Sequence, residues 1–267
     1  RRGHSAGAGY LLVFTATVRG AINVARAMSG DITLALGNIV SIVNFTKNGG
    51  GGTTVSGTLT TSGTQTWTNP VTLGADTTLT SSGNLAITLS STVNGGFDLA
   101  VNTTGLTTFG GAVGGLAQLA SLTTNAGGTM ALNGGAVTTS GAQTYNDAVT
   151  AGADLTLTTT NANILFGSTY AGGNHNLSVA ASVGSGTVSF TGAVTALGSG
   201  TGASIAVTSG QTGLVRFQNT LTGTNGHEFG DGTNVRFDGD VTLAGGDTDN
   251  SLLGDTTLDG QIGRAHV

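Results

Sequence analysis

The chain has 267 residues, of which 48 are glycine, 8% are charged and 37% are hydrophobic, and its formal net charge is −5. It contains no cysteine, which excludes disulfides, thiolate metal sites and cysteine nucleophiles. Lys47 is the only lysine, so the clustered basic residues of a nucleic-acid-binding surface are absent. Much glycine with little charge also occurs in disordered chains, but alternating hydrophobic residues predict a folded β protein here.

Residues 1–52 are predicted to form irregular N-terminal coils. The apolar run from Tyr10 to Val18 is too short to span a bilayer and ends at Arg19, so we expect no transmembrane segment. It also lacks the initiating Met and the clean cleavage site of a signal peptide. Apolar alternation begins at Ile32, and the glycines from Gly49 to Gly52 predict a flexible break.

One segment of the chain occurs twice. Residues 61–80 read TSGTQTWTNPVTLGADTTLT, and residues 139–158 read TSGAQTYNDAVTAGADLTLT, a displacement of 78 positions (139 − 61). Alternating Thr and Leu at the end of each copy predict strands with one apolar face. Gly-Ala-Asp and Ser-Gly clusters predict the turns between them. A repeated segment indicates stacked structural units rather than a single globular core.

A shorter motif recurs within and beyond the two copies. A bulky residue is followed two positions later by a turn-forming residue and after two more by an apolar residue, as in Trp67, Asn69 and Val71. Neighbouring starts recur at similar intervals, except for one wider gap that holds a degenerate copy at Leu132–Val137. We expect each motif to end one strand, bend the chain and begin the next strand. The motif starts at Trp67, Leu89, Phe109, Tyr145, Phe166, Phe190, Phe217 and Phe237.

These periods predict an all-β fold, a right-handed parallel β-helix with coils of about 20–25 residues over residues 53–261. Coils of roughly 21 residues would give about a dozen layers, separated by about 4.8 Å. Like residues should stack in the interior, with Phe109, Phe190 and Phe237 in equivalent surroundings. An antiparallel sandwich is the competing fold, because strands at 8–12-residue spacing are also present.

Two arginines form a candidate anion-binding site. Arg216 and Arg236 occur in matching Val-Arg-Phe frames. If Val and Phe point inward, both guanidinium groups point outward on adjacent coils. An anionic sugar or phosphate could bridge them. Alternatively, Asp238 or Asp240 offsets their charge.

The acidic residues concentrate near the C-terminus, and two of them, Asp247 and Asp249, are weak candidates for calcium ligands in a chain for which we otherwise expect no metal site. Asp247 and Asp249 lie in a Gly-Gly-Asp-Thr-Asp-Asn stretch that resembles one calcium-binding β-roll nonapeptide, without tandem copies. Solvated turn aspartates are the alternative interpretation. Eight of the 13 acidic residues belong to this cluster: Glu228, Asp231, Asp238, Asp240, Asp247, Asp249, Asp255 and Asp259.

No catalytic constellation is evident, so we expect no enzyme. His227-Glu228 lacks the second histidine of a zinc-protease motif, and no phosphate-binding loop or nucleophile elbow occurs. Glycan cleavage would need converging carboxylates, which most of the predicted coils lack. We expect His4 and His175 to be lone surface residues.

Outward threonines raise a third possibility, a surface that orders water. Because the pairs do not recur at a constant sequence spacing, we expect no long threonine array. The Thr-x-Thr pairs are Thr58/Thr60, Thr66/Thr68, Thr78/Thr80 and Thr156/Thr158.

The final residues, 262–267, resemble the translated read-through of a sequencing adapter, so we expect the chain to be a truncated fragment of a longer reading frame.

The repeated units and Phe-x-Gly-x-Val bends between Thr53 and Val241 resemble the β-strand repeats of filamentous-haemagglutinin-like and autotransporter-like bacterial adhesins. The resemblance is one of repeat style. It implies a structural and adhesive shaft of a large exoprotein, secreted or displayed at the outer membrane through a translocator. Glycans or proteins of host or neighbouring cells are the implied partners. A polysaccharide-active β-helix and an ice- or mineral-binding solenoid remain the alternatives.

Overall fold

A computed structural model of the chain describes residues 10–14, 20–24, 32–48, 50–179, 185–198, 202–208, 211–230, 233–243 and 256–258. The regular secondary structure of these residues consists of β-strands, and neighbouring strands pair in parallel. The predicted all-β, parallel β-solenoid is therefore confirmed, and the antiparallel sandwich is wrong.

Strands β3 (Ile32–Lys47), β4 (Thr53–Thr61) and β6 (Val71–Ser81) are long, and each extends over more than one side of a coil. Strand β3 contacts both β4 and β5, while β1 and β2 pair in parallel with β3, so the ladder includes strands before Thr53. These strands are β1 (Tyr10–Phe14), β2 (Gly20–Val24), β3 (Ile32–Lys47), β4 (Thr53–Thr61), β5 (Gln65–Trp67) and β6 (Val71–Ser81).

Later coils consist of three short strands, one on each of three faces. Face A continues from β5 through β7 (Ile87–Leu89), β10 (Leu106–Phe109), β12 (Thr129–Leu132), β15 (Ala148–Ala151), β18 (Tyr170–His175), β21 (Val194–Leu197), β24 (Leu221–Gly223) and β27 (Val241–Leu243).

Face B continues from the start of β6 through β8 (Val93–Asn94), β13 (Ala136–Thr138), β16 (Leu155–Thr158), β19 (Leu177–Val179), β22 (Ile205–Val207) and β25 (His227–Phe229). Face C continues from the end of β6 through β9 (Asp98–Asn102), β11 (Ser121–Thr124), β14 (Gln143–Tyr145), β17 (Ile164–Phe166), β20 (Val188–Phe190), β23 (Leu214–Phe217), β26 (Asn234–Phe237) and β28 (Thr256–Leu258).

The solenoid has about nine turns, fewer than the predicted dozen. Coil length varies, as register partners on consecutive coils show. Leu132 and its partner Ala151 are separated by 19 positions (151 − 132), whereas Val179 and its partner Val207 are separated by 28 positions (207 − 179). Corners absorb these differences because only the strands are held in register by backbone hydrogen bonds.

The bend motif acts as the sequence predicts. Phe190 ends β20, Gly192 lies in the corner, and Val194 begins β21. However, the motifs lie at two different corners. Trp67, Leu89 and Phe109 end strands of face A, whereas the motifs from Tyr145 onward end strands of face C. The wide gap between the motif starts at Phe109 and Tyr145 marks this change of corner.

The expectation that Phe109 shares the surroundings of Phe190 and Phe237 was therefore wrong. Phe109 is buried on face A between Leu89 and Leu132. Phe190 and Phe237 belong to a stack on face C that the sequence did predict. Its ring centroids lie 4.8, 4.7, 4.8 and 5.2 Å apart along Tyr145, Phe166, Phe190, Phe217 and Phe237. These separations match the spacing of parallel strands.

The duplicated segment also changes face. The displacement of 78 positions (139 − 61) corresponds to three full coils plus two of the three faces of the next coil. Gln65 therefore lies on face A, whereas Gln143 lies on face C. Each buried glutamine nevertheless donates from Nε2 to a backbone carbonyl farther along its own copy, Thr80 O at 2.9 Å and Thr158 O at 2.8 Å. The repeat thus encodes a local corner structure that fits more than one position around the solenoid.

Candidate functional site

The two predicted anion-binding arginines are brought together. Arg216 and Arg236 are register partners on β23 and β26. Both contact Asp238: Arg216 Nη2 lies 2.5 Å from Oδ2, and Arg236 Nε donates to Oδ1 at 2.5 Å. Hydrogen bonds from both arginines lower the pKa of Asp238, and the bond from Arg236 has the larger effect. One carboxylate thus bridges two guanidinium groups, and anion binding at this pair stays a prediction.

The predicted calcium residues, Asp247 and Asp249, lie outside the described residues. Of the acidic cluster, only Glu228, Asp238 and Asp240 are described. Within the described ranges, no three His, Cys, Asp or Glu side chains gather in a way that could hold a metal ion.

Of the two described histidines, His175 was predicted to be a lone surface residue. His175 is not alone, because its Nδ1 lies 3.6 Å from Asp154 Oδ1. His227 lies on β25 in register with Ile205, and its ring packs 5.0 Å from that of Phe229. Neither ring nitrogen of His227 has a hydrogen-bond partner, and burial lowers its pKa. His4 lies outside the described residues.

Two buried charges were missed by the sequence analysis. Among the described residues, Lys47 and Asp147 are the charged residues that are fully buried, with exposed fractions of 0% and 1%. The alternation of side chains along a strand could have indicated that Lys47 is buried, because Lys47 follows buried Phe45 by two positions and therefore lies on the same inward face. Asp147 occupies the turn position of a bend motif, and nothing in the sequence pattern indicated that its side chain is buried.

The predicted Thr-x-Thr pairs form no long array, because Thr58 and Thr60 stack on Thr78 and Thr80, whose next partners are Ala100 and Asn102. The structure shows a different row of outward threonines that the sequence did not reveal. A single outward file on face A runs in register through Thr46, Thr66, Thr88, Thr108, Ala131, Thr150, Ala171 and Thr195. After a shift in register the file resumes at Thr222 and Thr242. Sequence spacing concealed it because corners of variable length separate residues that stack directly. The file contains no charged residue.

No protein-family model, curated protein or solved structure matches the chain.

None of the described residues forms a helix that is long and apolar enough to cross a membrane.

Proposed function

We propose that the chain is a structural and adhesive shaft segment of a large bacterial exoprotein, secreted or displayed at the cell surface, and that it catalyses no reaction. The observation that carries this proposal is the continuity of the ladders. Face A strands pair in parallel from β5 to β27, so each described coil is hydrogen-bonded to the next.

A rod built this way lengthens by repetition without a new core. Each added coil extends it by about 4.8 Å, so nine turns would span about 43 Å. Core side chains such as those of Phe166, Phe190 and Phe217 have exposed fractions of 0–1%, so the stacked coils keep the apolar core away from water. Such a rod suits a spacer that carries a binding surface away from a membrane.

The resemblance of the repeats to those of bacterial adhesins supports the proposed binding partners and the proposed export route. Glycans or proteins on host or neighbouring cells are the proposed partners. Export is proposed to depend on an outer-membrane translocator encoded elsewhere in the full reading frame.

Surface display tests the spacer role. The chain would be inserted between an epitope tag and an outer-membrane translocator in a Gram-negative host. The tag should lie about 43 Å farther from the membrane than in a matched passenger without residues 53–243, as measured by energy transfer to a membrane dye. An unchanged distance in cells that export both passengers would contradict the shaft.

A separate assay addresses adhesion and catalysis. Cells that display the chain should bind a glycan array or cultured host cells more strongly than cells with the shortened passenger. Release of reducing ends from neutral or acidic glycans by the purified chain would contradict the non-catalytic proposal and support a polysaccharide-active β-helix.

The threonine file on face A favours a second candidate, a surface that binds ice or another ordered crystal face. Thr66, Thr88 and Thr108 are consecutive register partners, so their hydroxyl and methyl groups repeat at about the strand spacing of 4.8 Å. A neutral, periodic surface can match a periodic lattice of water molecules, whereas scattered hydroxyl groups cannot.

Thermal hysteresis of the purified chain tests this second candidate. The double variant T88K/T108K should abolish the hysteresis, because two ammonium groups interrupt the file. The matched control T78K/T123K changes outward threonines of face C and should retain it. Absence of hysteresis in the unmodified chain would exclude ice binding.

A further inference from the structure

Lys47 and Asp147 lie at equivalent corners of the two duplicated segments. Asp147 matches Asn69, 78 positions earlier (147 − 69). On the preceding coil, Lys47 is the register partner of Trp67, and Thr124 is the register partner of Tyr145. Since Trp67 and Tyr145 are matching residues of the repeat, Thr124 takes the structural place of Lys47.

A positive charge occupies the first of these corners. Lys47 Nζ donates to Asn69 Oδ1 at 3.1 Å and to the carbonyl oxygen of Gly50 at 3.4 Å. The Thr68 hydroxyl also donates to Asn69 Oδ1, at 3.2 Å. The buried ammonium group therefore fills the corner and is held by oxygen atoms.

A negative charge without a matching cation occupies the second corner. Asp147 Oδ1 accepts a hydrogen bond of 2.8 Å from the Gly128 amide. Asp147 Oδ2 and the Thr124 hydroxyl are both buried and face each other, but neither forms a hydrogen bond of normal geometry. Burial raises the pKa of Asp147, although the Gly128 amide and the neighbouring Thr124 hydroxyl oppose the rise. A buried carboxylate of this kind destabilises a fold unless a positive charge or a set of donors compensates it.

We propose that the corner at Asp147 binds a monovalent alkali cation, Na⁺ or K⁺, with Asp147 Oδ2 and Thr124 Oγ1 among its ligands. The cation takes the place that the Lys47 ammonium group occupies in the first copy. Carboxylate and hydroxyl oxygens are ligands of hard cations. Charge balance selects a monovalent ion, because one carboxylate neutralises one positive charge and a divalent ion would leave a buried excess. This inference is independent of the proposed shaft function.

Thermal unfolding of the purified chain in chloride salts of equal ionic strength tests the proposal. NaCl or KCl should raise the melting temperature above that in choline chloride, whose cation is too large for a buried corner. At a cation concentration about 100 times Kd, the expected rise is about 5–10 °C. D147N should lose this difference while remaining folded, because asparagine is the natural residue at the equivalent position of the first copy, Asn69. T124V should require a higher salt concentration for the same rise.

The matched control is D98N, which changes an exposed carboxylate on face C and should keep the full response. Calorimetric titration of NaCl or KCl into the protein in choline buffer should show one saturable site, absent from D147N. Equal melting temperatures in all the salts, or an undiminished response in D147N, would overturn the proposal. A response to CaCl₂ alone would overturn the assignment to a monovalent ion.

Discussion

The hydroxyl of Tyr145 donates a hydrogen bond of 2.8 Å to Oε1 of Gln143 inside the core. In the first copy of the repeat the corresponding pair is Trp67 and Gln65, and both the indole Nε1 and the carboxamide Oε1 are buried without a partner. The second copy thus satisfies an acceptor that the first copy leaves unpaired.

Y145F is therefore expected to destabilise the chain by about 1–3 kcal/mol, because Gln143 Oε1 would lose its donor in a buried site. The free energy of unfolding from chemical denaturation measures this loss. The matched control is Y170F. The Tyr170 hydroxyl is buried and has no partner, so its removal should leave stability unchanged or increase it. A Y145F variant no less stable than Y170F would contradict the role of this hydrogen bond.

G192A is expected to destabilise the chain by about 1–3 kcal/mol through overpacking at a corner. A Cβ at Gly192 would lie 2.6 Å from the backbone carbonyl carbon of Ser168 on the preceding coil. The flanking residues limit movement of this corner, because the Thr191 amide donates to Phe166 O and the Val194 amide donates to Thr220 O. Thermal and denaturant unfolding measure the effect.

G96A is the control for that substitution. A Cβ at Gly96 meets no atom within 4 Å, so the change should alter stability by less than about 0.5 kcal/mol. If G192A and G96A were equally stable, the close backbone approach at Gly192 would not restrict the size of the side chain at that corner.

F190A is expected to cost about 3–5 kcal/mol, because it removes a central ring of the face C stack and leaves a cavity. The ring of Phe190 stacks at 4.7 Å on Phe166 and at 4.8 Å on Phe217. Denaturant titration should also show whether neighbouring coils unfold together. L116A, which changes a side chain with 91% exposure, should remain near the unmodified stability. An F190A midpoint equal to that of L116A would contradict a core role for the stack.

The stability of the chain is expected to fall as the pH drops through about 6.5, because of His227. Burial lowers the folded-state pKa of His227 from its ordinary value of 6.5. The unfolded chain therefore binds a proton at this residue before the folded chain does, and stability rises with pH across this window. Melting temperatures at pH values between 5 and about 8 measure the slope.

H227L should reduce that slope, since leucine matches the apolar residues stacked on this position, Leu155, Leu177 and Ile205. H175Q is the control that removes a different histidine and leaves the His227 ring beside Phe229. If the slope survives H227L unchanged, another group is responsible for it.

The strand pattern and the bends could be predicted because they depend on local properties. Alternation around Leu155 and Leu157 determines which side chains enter the core, and the turn-forming residue between Phe190 and Val194 determines where the chain bends. Parallel stacking followed from the recurrence of the bend motif at about one coil length, since each coil buries its apolar side against the next. These features need no knowledge of residues distant in sequence.

The face on which each residue lies could not be predicted in the same way. Coils of unequal length shift the alignment, so Phe109 and Phe190 occupy different faces despite matching motifs. The same variation conceals the threonine file, whereas the pairing of Arg216 and Arg236 and the compensation of their charge by Asp238 followed from their matching frames.

The sequence by itself determined the strand alternation, the bends and the parallel stacking, because each follows from side-chain polarity, backbone preference and repetition along the chain. Only the tertiary structure decided which residues meet across coils, including the placement of Lys47 beside Asn69 and of Thr124 beside Asp147. The physical reason is that backbone hydrogen bonds fix register between strands, while corners of variable length separate spatial neighbours from any constant distance in sequence.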